Sequence, residues 1–373
     1  MSNATKHPAT QLFVGWLFCC FCLGLFLRFS HKPDPGSTPD IIQVAERLSV
    51  VGRYSPNLDP GVSKKLLEMA EEIEEDPQAK MVIRGEAPKN TSGLTPVYSL
   101  MAEELDGSIT GKKKLSELAR EGLTRFAISG GLLTLLMLMA AVSLLTPKRE
   151  ETEPDAPTTL GPIGVLGVFF GWDVLGFIGL GTVLASLHGY VDSFTLVIVS
   201  QILLYLLLVL VLSRAKLCKD ARPFRKFSLS WIGKGYFSAL AIVLVVNFIT
   251  TALSGEAPKS ENPVLSLFAE APHWKVAMLG LLVVFVGPFF EEIVFRGWLF
   301  GGLRRSWGDT PALLLSSLLF ALIHGDAPGL IPLFCLGMIF GWVYRRSGSL
   351  WASIIVHGFW NATTFSLLIS VMP

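Results

Sequence analysis

The sequence predicts an all-α fold: a polytopic transmembrane helix bundle of about eight or nine spans, with a small helical extramembrane module near the N-terminus. Three observations lead there. Of 373 residues, 51% are hydrophobic and only 16% charged, against about 25% charged in soluble domains. The apolar residues gather in runs long enough to cross a bilayer. The basic residues concentrate in short loops between those runs.

The elements follow in order along the chain. The first run, 12–29, reads as an anchor: no A-x-A cleavage site follows it, and Leu17-Phe18-Cys19 lacks the small residues of a lipoprotein site. Residues 1–30 are thus an N-terminal membrane anchor or signal-anchor. Residues 31–124 form the hydrophilic module. It opens on Pro33-Asp34-Pro35-Gly36, a linker signature, and carries helical patterning in Ile41–Val50 and Lys64–Glu75. Residues 125–159 hold a second span, 125–145, and an acidic, proline-containing loop. Residues 160–373 form the core, with apolar runs at 160–187, 194–213, 235–254, 275–302, 311–325, 328–344 and 350–371.

Loop charge sets the expected orientation. The loop 214–234 holds Arg214, Lys216, Lys219, Arg222, Arg225, Lys226 and Lys234, which predicts a cytoplasmic location. Counting spans from there brings Lys148/Arg149, Arg304/Arg305 and Arg345/Arg346 to the same side. The N-terminus then lies inside and the 31–120 module outside, as for an integral protein of the plasma (inner) membrane. The net charge of +1 says nothing about a nucleic-acid partner, but no basic patch with interleaved aromatics appears, so none is expected. The five cysteines form no visible disulfide framework.

Polar residues inside the late spans carry the functional signal. Glu291, Glu292 and Arg296 fall within six residues of an apolar run, although a charge at mid-bilayer costs from ~2.5 to more than ~10 kcal/mol. Glu292 and Arg296, at i,i+4, share a helix face and can neutralise each other. Glu291 points about 100° away and has no partner in its own helix. A carboxylate left over in such a site is a candidate general base; the plain reading is an acidic helix end or a structural ion pair. The seventh run ends on His324, and the ninth carries His357 and Asn361 at i,i+4. Polar side chains in a bilayer face one another, so Glu291, His324, His357 and Asn361 are expected to converge.

Two chemistries suit such a cluster. Glu291, His324 and His357 are a ligand set for a catalytic zinc with an open position, although HExxH is absent. Alternatively, a carboxylate or imidazole takes a proton from water and donors hold the oxyanion, without a metal. Asn361 is a better oxyanion donor than a zinc ligand, which favours the metal-free form. Asp173 and Asn247 read as interhelical polar contacts. The arginine pairs read as topology anchors, and His188 and His273 carry no role.

Glu291-Glu292-x-x-x-Arg296, Phe320-x-x-x-His324 and His357-x-x-x-Asn361, in this order in successive late spans, resemble the CPBP family. That family comprises type II CAAX prenyl endopeptidases and bacteriocin-processing or self-immunity proteins, once called Abi. The resemblance covers about 160–370, most tightly 285–365. It implies that Glu291 activates water together with His324, that His357 and Asn361 stabilise the oxyanion, and that Glu292 and Arg296 support them. The family is commonly labelled metalloprotease, and a glutamate-dependent, metal-free mechanism is also argued for it. The expected function is an intramembrane endopeptidase acting on a membrane-associated peptide or protein, CAAX-type C-terminal processing included. The alternatives are a non-catalytic membrane scaffold or immunity protein, and a proton-coupled transporter.

Overall fold

Each of three helices near the N-terminus starts at a polar residue followed by proline. Asp59-Pro60, Asp76-Pro77 and Thr95-Pro96 place a side-chain acceptor at the N-cap and a residue lacking an N–H at the first helical position. The computed structural model describes residues 41–55, 58–88, 90–145, 160–187, 190–214, 224, 226–254 and 272–371. The predicted first span, the acidic loop and residues 215–223 and 225 of the 214–234 loop lie outside them, as does His188. The described residues divide into two compact units, built mainly from 41–135 and from 136–362.

The first unit contains α1 (Ile41–Tyr54), α2 (Pro60–Ile73), α3 (Pro77–Arg84), α4 (Pro96–Leu105) and the start of α5 (Ile109–Leu144). Asp59 accepts hydrogen bonds from the backbone N–H groups of Gly61 and Val62, and Asp76 from that of Gln78 at 2.8 Å. Gly85, at φ 88°, closes α3 in the left-handed conformation that glycine adopts without a Cβ clash. Val82, Ile83, Tyr98, Met101, Leu115 and Ala119 form the core. The helical patterning read in Ile41–Val50 and Lys64–Glu75 corresponds to α1 and α2.

The second unit contains the end of α5, then α6 (Pro162–Val174), which continues through a π-helical turn (Leu175–Leu180) to Gly181–Ala185. After it come α7 (Ser193–Arg214) and α8 (Ser230–Ser254). Next is α9, built from His273–Leu281, Gly287–Glu292 and Gly301–Trp307, with π-helical turns over Leu282–Val286 and Ile293–Phe300. The last helices are α10 (Asp309–Leu322), α11 (Leu330–Ser347) and α12 (Leu350–Val371). Together these account for eight of the predicted apolar runs, as an all-α membrane bundle with no extended strand among the described residues.

Among the described residues, four helical stretches are long and apolar enough to cross a membrane: Gly111–Leu144, Ser230–Ala252, Trp274–Trp307 and Leu350–Ser370. Leu138, Leu206, Leu244 and Phe248 stand exposed on their helices, which suits lipid rather than water. α10 has 14 residues, about 21 Å at 1.5 Å per residue, too short for a hydrocarbon core of about 30 Å. Gly325, at φ 64°, turns the chain just beyond it. His324 consequently sits in that turn rather than inside a span.

An aromatic ladder forms the centre of this unit. Phe169 packs on Phe295 at 5.7 Å between ring centroids, Phe295 on Phe320 at 5.2 Å, and Phe320 on Phe340 at 6.4 Å. Glycines bring the helices close: a Cβ on Gly235 would lie 2.8 Å from Val343 and Val356, and one on Gly337 would lie 3.0 Å from Ser317. Small residues at helix contacts are how membrane bundles pack. Asn247, read from the sequence as an interhelical contact, is exposed on α8, whereas Asp173 is buried.

Candidate active site

Pro288 shapes the site before any acid is reached. Proline offers no N–H to the preceding turn, and α9 is π-helical just ahead of it, over Leu282–Val286. The carbonyls of that turn need other partners or close cover. α12 faces both. Asn361 Nδ2 donates to Val283 O at 2.9 Å. A Cβ on Gly358 would come within 2.9 Å of Val284 O, so a side chain there would hold α12 away. Single π-turns of this kind are frequent at functional sites.

One helical turn later come the paired acids, and they occupy different environments. Glu292 is fully buried, with Arg296 Nη1 3.0 Å from its Oε1. Arg296 Nη2 donates to Gly337 O at 3.1 Å, and its guanidinium lies 4.5 Å from the centre of the Phe320 ring, a cation–π distance. The Ser353 hydroxyl contacts Glu292 Oε2 and the Phe340 carbonyl. His357 Nδ1 lies 2.9 Å from Glu292 Oε1. Glu292 therefore has cationic or donor groups on both oxygens, as a buried carboxylate requires.

Glu291 keeps 24% of its side chain open. Its Oε2 lies 3.8 Å from His357 Nε2, too long for a direct hydrogen bond and suited to a bridging group. His357 thus stands between the two acids. Its ring stacks on Phe340 at 4.4 Å and meets the Phe320 edge at 5.8 Å. Facing a carboxylate, Nδ1 carries a hydrogen. Nε2 is the nitrogen left facing Glu291.

His324 joins the cluster through Phe320. Its ring lies 4.7 Å from the Phe320 ring, and its Nδ1 is 2.6 Å from the Phe320 carbonyl. A carbonyl only accepts, so Nδ1 bears the hydrogen and Nε2 of the neutral ring is the basic nitrogen. No direct hydrogen bond or ion pair joins His324 to Glu291. Among the described residues no group of three His, Cys, Asp or Glu side chains is arranged to hold a metal ion.

The six sequence-predicted residues thus lie on α9, α12 and the turn after α10. Four of them, Glu291, Glu292, Arg296 and His357, are in direct contact or within 4 Å of one another. Ser353 and Gly358 escaped the sequence reading, although Ser353 shares the helix face of His357 at i−4 and Gly358 is the next residue in the chain. Away from the cluster, Arg304 and Arg345 both reach Asp309, at 3.0 and 2.5 Å, so one acid ties together two of the basic pairs read as anchors.

Comparisons with known proteins match this part of the chain. The family described as type II CAAX prenyl endopeptidase Rce1-like matches residues 273–363, from the start of α9 to just past Asn361. YdiL of Bacillus subtilis (strain 168) is 29% identical over 148 residues, 39% of this chain and 58% of the relative. The membrane-embedded CAAX protease MroQ of Staphylococcus aureus (strain USA300) is 28% identical over 148 residues, 38% of this chain and 59% of the relative. The UPF0177 protein YxdF of Lactococcus lactis subsp. lactis (strain IL1403) is 38% identical over 138 residues, 34% of this chain and 74% of the relative. The chain spans less than two thirds of the length of the first two. No solved structure matches it significantly.

Proposed function

Because this chain belongs to the Rce1-like family of type II CAAX prenyl endopeptidases, we propose that it is an intramembrane endopeptidase in which Glu291 activates water. The observation that carries this reading is the division between neighbouring acids. Glu292 is saturated and closed off, whereas Glu291 is partly open, with the far nitrogen of His357 3.8 Å from its Oε2. The substrate is a membrane-associated peptide or protein, with a CAAX-type C-terminus as the first class to test, since the similar MroQ bears that name.

In this mechanism a water between Glu291 and His324 attacks the scissile carbonyl. The water's proton passes to Glu291, with the basic Nε2 of His324 orienting the water, and then to the leaving amine. Such acid–base transfer contributes roughly 10²–10⁴ in rate. His357, held by Glu292, and Asn361 donate to the oxyanion, where one donor is worth roughly 10²–10³ in kcat. Glu292 and Arg296 fix His357. The basic loops of the helix bundle face the cytoplasm in this reading.

The test is cleavage of an internally quenched farnesylated CAAX peptide by purified protein in lipid bilayers, read by mass spectrometry. Cleavage by the wild type and none by Glu291→Gln is expected. Equal cleavage by both overturns the role of Glu291.

A further inference from the structure

Tyr205, on α7, brings a hydroxyl to Glu291 from outside the matched residues 273–363. The sequence gives α7 no role beyond an apolar span. Yet Tyr205 is only 8% exposed, and its ring lies flat on Phe290, the residue before Glu291, at 4.5 Å between centroids and 12° between planes. Gly287, one turn ahead of Glu291, marks where the polar ends meet. A Cβ built on it would lie 3.4 Å from the Tyr205 hydroxyl and 3.4 Å from Glu291 Oε1. The two oxygens are therefore at most twice that distance apart, an upper bound near the outer reach of one bridging water.

The phenol makes no direct hydrogen bond to another described residue, which leaves its O–H free to donate. An ionised carboxylate only accepts, and a phenol can donate. The two oxygens of Glu291 also face different ways: Oε1 toward Gly287 and Tyr205, Oε2 toward His357. Stacking on Phe290 requires only the ring, so packing leaves the hydroxyl unexplained.

We propose that Tyr205 is a positioning residue for Glu291, its hydroxyl donating a hydrogen bond to Oε1, directly or across one water, so that Oε2 is held toward His357. This rests on Glu291 being the catalytic carboxylate. Gly287 acquires a second task, because the missing side chain keeps the gap between the two oxygens open.

Tyr205→Phe keeps the ring and removes the donor. For the farnesylated CAAX peptide in bilayers, kcat falls about tenfold or more with KM and the melting temperature unchanged. Gly287→Ala, which puts a methyl into the gap, lowers kcat in the same way although Tyr205 is intact. A second readout needs no substrate. The infrared carboxylate band of Glu291 is isolated as the difference between wild type and Glu291→Gln, then between Tyr205→Phe and the double variant. The band shifts when the donor is lost. Superimposable bands overturn the inference, as does a Tyr205→Phe variant with wild-type kcat beside an inactive Glu291→Gln. If Glu291→Gln itself cleaves, the catalytic reading fails, while the infrared comparison still decides whether the hydrogen bond exists.

Discussion

Glu292 Oε1 lies 2.9 Å from His357 Nδ1, on the same oxygen that Arg296 Nη1 approaches at 3.0 Å. One buried carboxylate thereby sets both the tautomer and the direction of the histidine whose other nitrogen looks at Glu291. An acid hydrogen-bonded to one nitrogen of an imidazole commonly fixes which nitrogen carries the proton. The aromatic rings of Phe320 and Phe340 close the remaining sides, so His357 has little freedom to turn away.

Arg296→Ala strips the cation from a fully buried carboxylate and leaves Gly337 O without its donor. The expected loss of stability is about 3–5 kcal/mol, the usual cost of stranding one member of a buried pair. Thermal unfolding in detergent checks it. A melting temperature within a degree of wild type contradicts the buried ion pair.

Gly358→Ala places a methyl 2.9 Å from Val284 O. α12 must then move outward, at about 1–3 kcal/mol for overpacking, and it carries His357 and Asn361 with it. Lower stability together with lower cleavage is expected. Wild-type values for both show that the approach of α12 to α9 is looser than described. Asn361→Ala leaves the Val283 carbonyl without its donor, with about 1–3 kcal/mol lost. A cleavage defect beyond that stability loss is the mark of a role at the oxyanion.

A membrane-permeant chelator should leave cleavage nearly unchanged if Glu291 and His324 activate water without a metal. Loss of activity on chelation, restored by one equivalent of zinc, instead assigns the chemistry to a zinc-bound water, whose pKa falls to about 7. The protease assignment stands in either case.

In the first unit, burial raises the Glu46 carboxyl above its ordinary range. The charge of Glu74 adds to this, and the Thr95 hydroxyl and Arg47 oppose it. A raised folded-state value means that the proton stabilises the fold. Its contribution is complete below the ordinary carboxylate value and is lost as pH rises through the raised one. Amide exchange in α1 and α4 should therefore slow as pH falls from 7 toward 5, after correction for intrinsic rates. Glu46→Gln should remove that dependence. A dependence of unchanged size in the variant assigns it to another group.

Orientation is checked by cysteine labelling in a cysteine-free background. Cysteine placed at Lys226, exposed just ahead of α8, should react only from the cytoplasmic side, and cysteine at Gly107 only from the opposite side. Reaction of both from one side means that the number of spans between them has the opposite parity.

The membrane class, eight of the helices and the residues of the cluster were legible in the sequence because charge in an apolar run is costly and therefore conspicuous. The i,i+4 spacing of Glu292 and Arg296 survived even the π-helical turn that begins after Glu292. Backbone geometry was not legible. Residue types show neither the π-helical turn ahead of Pro288 nor the cover that Gly358 and Asn361 give its carbonyls. His324 was read inside a span because hydropathy cannot see a left-handed glycine ending the helix. Tyr205 and Ser353 were hidden for another reason: a single hydroxyl barely changes the hydropathy of a long apolar run.

The central claim is that neighbouring acids divide the work, Glu291 doing the chemistry and Glu292 holding His357 in place. Measuring cleavage rate and melting temperature together in purified Glu291→Gln and Glu292→Gln tests it most directly. Glu291→Gln should lose cleavage by roughly 10²-fold or more while melting within about a degree of wild type. Glu292→Gln should melt well below it. A stable, fully active Glu291→Gln protein, or a Glu292→Gln protein that melts like wild type, contradicts the account.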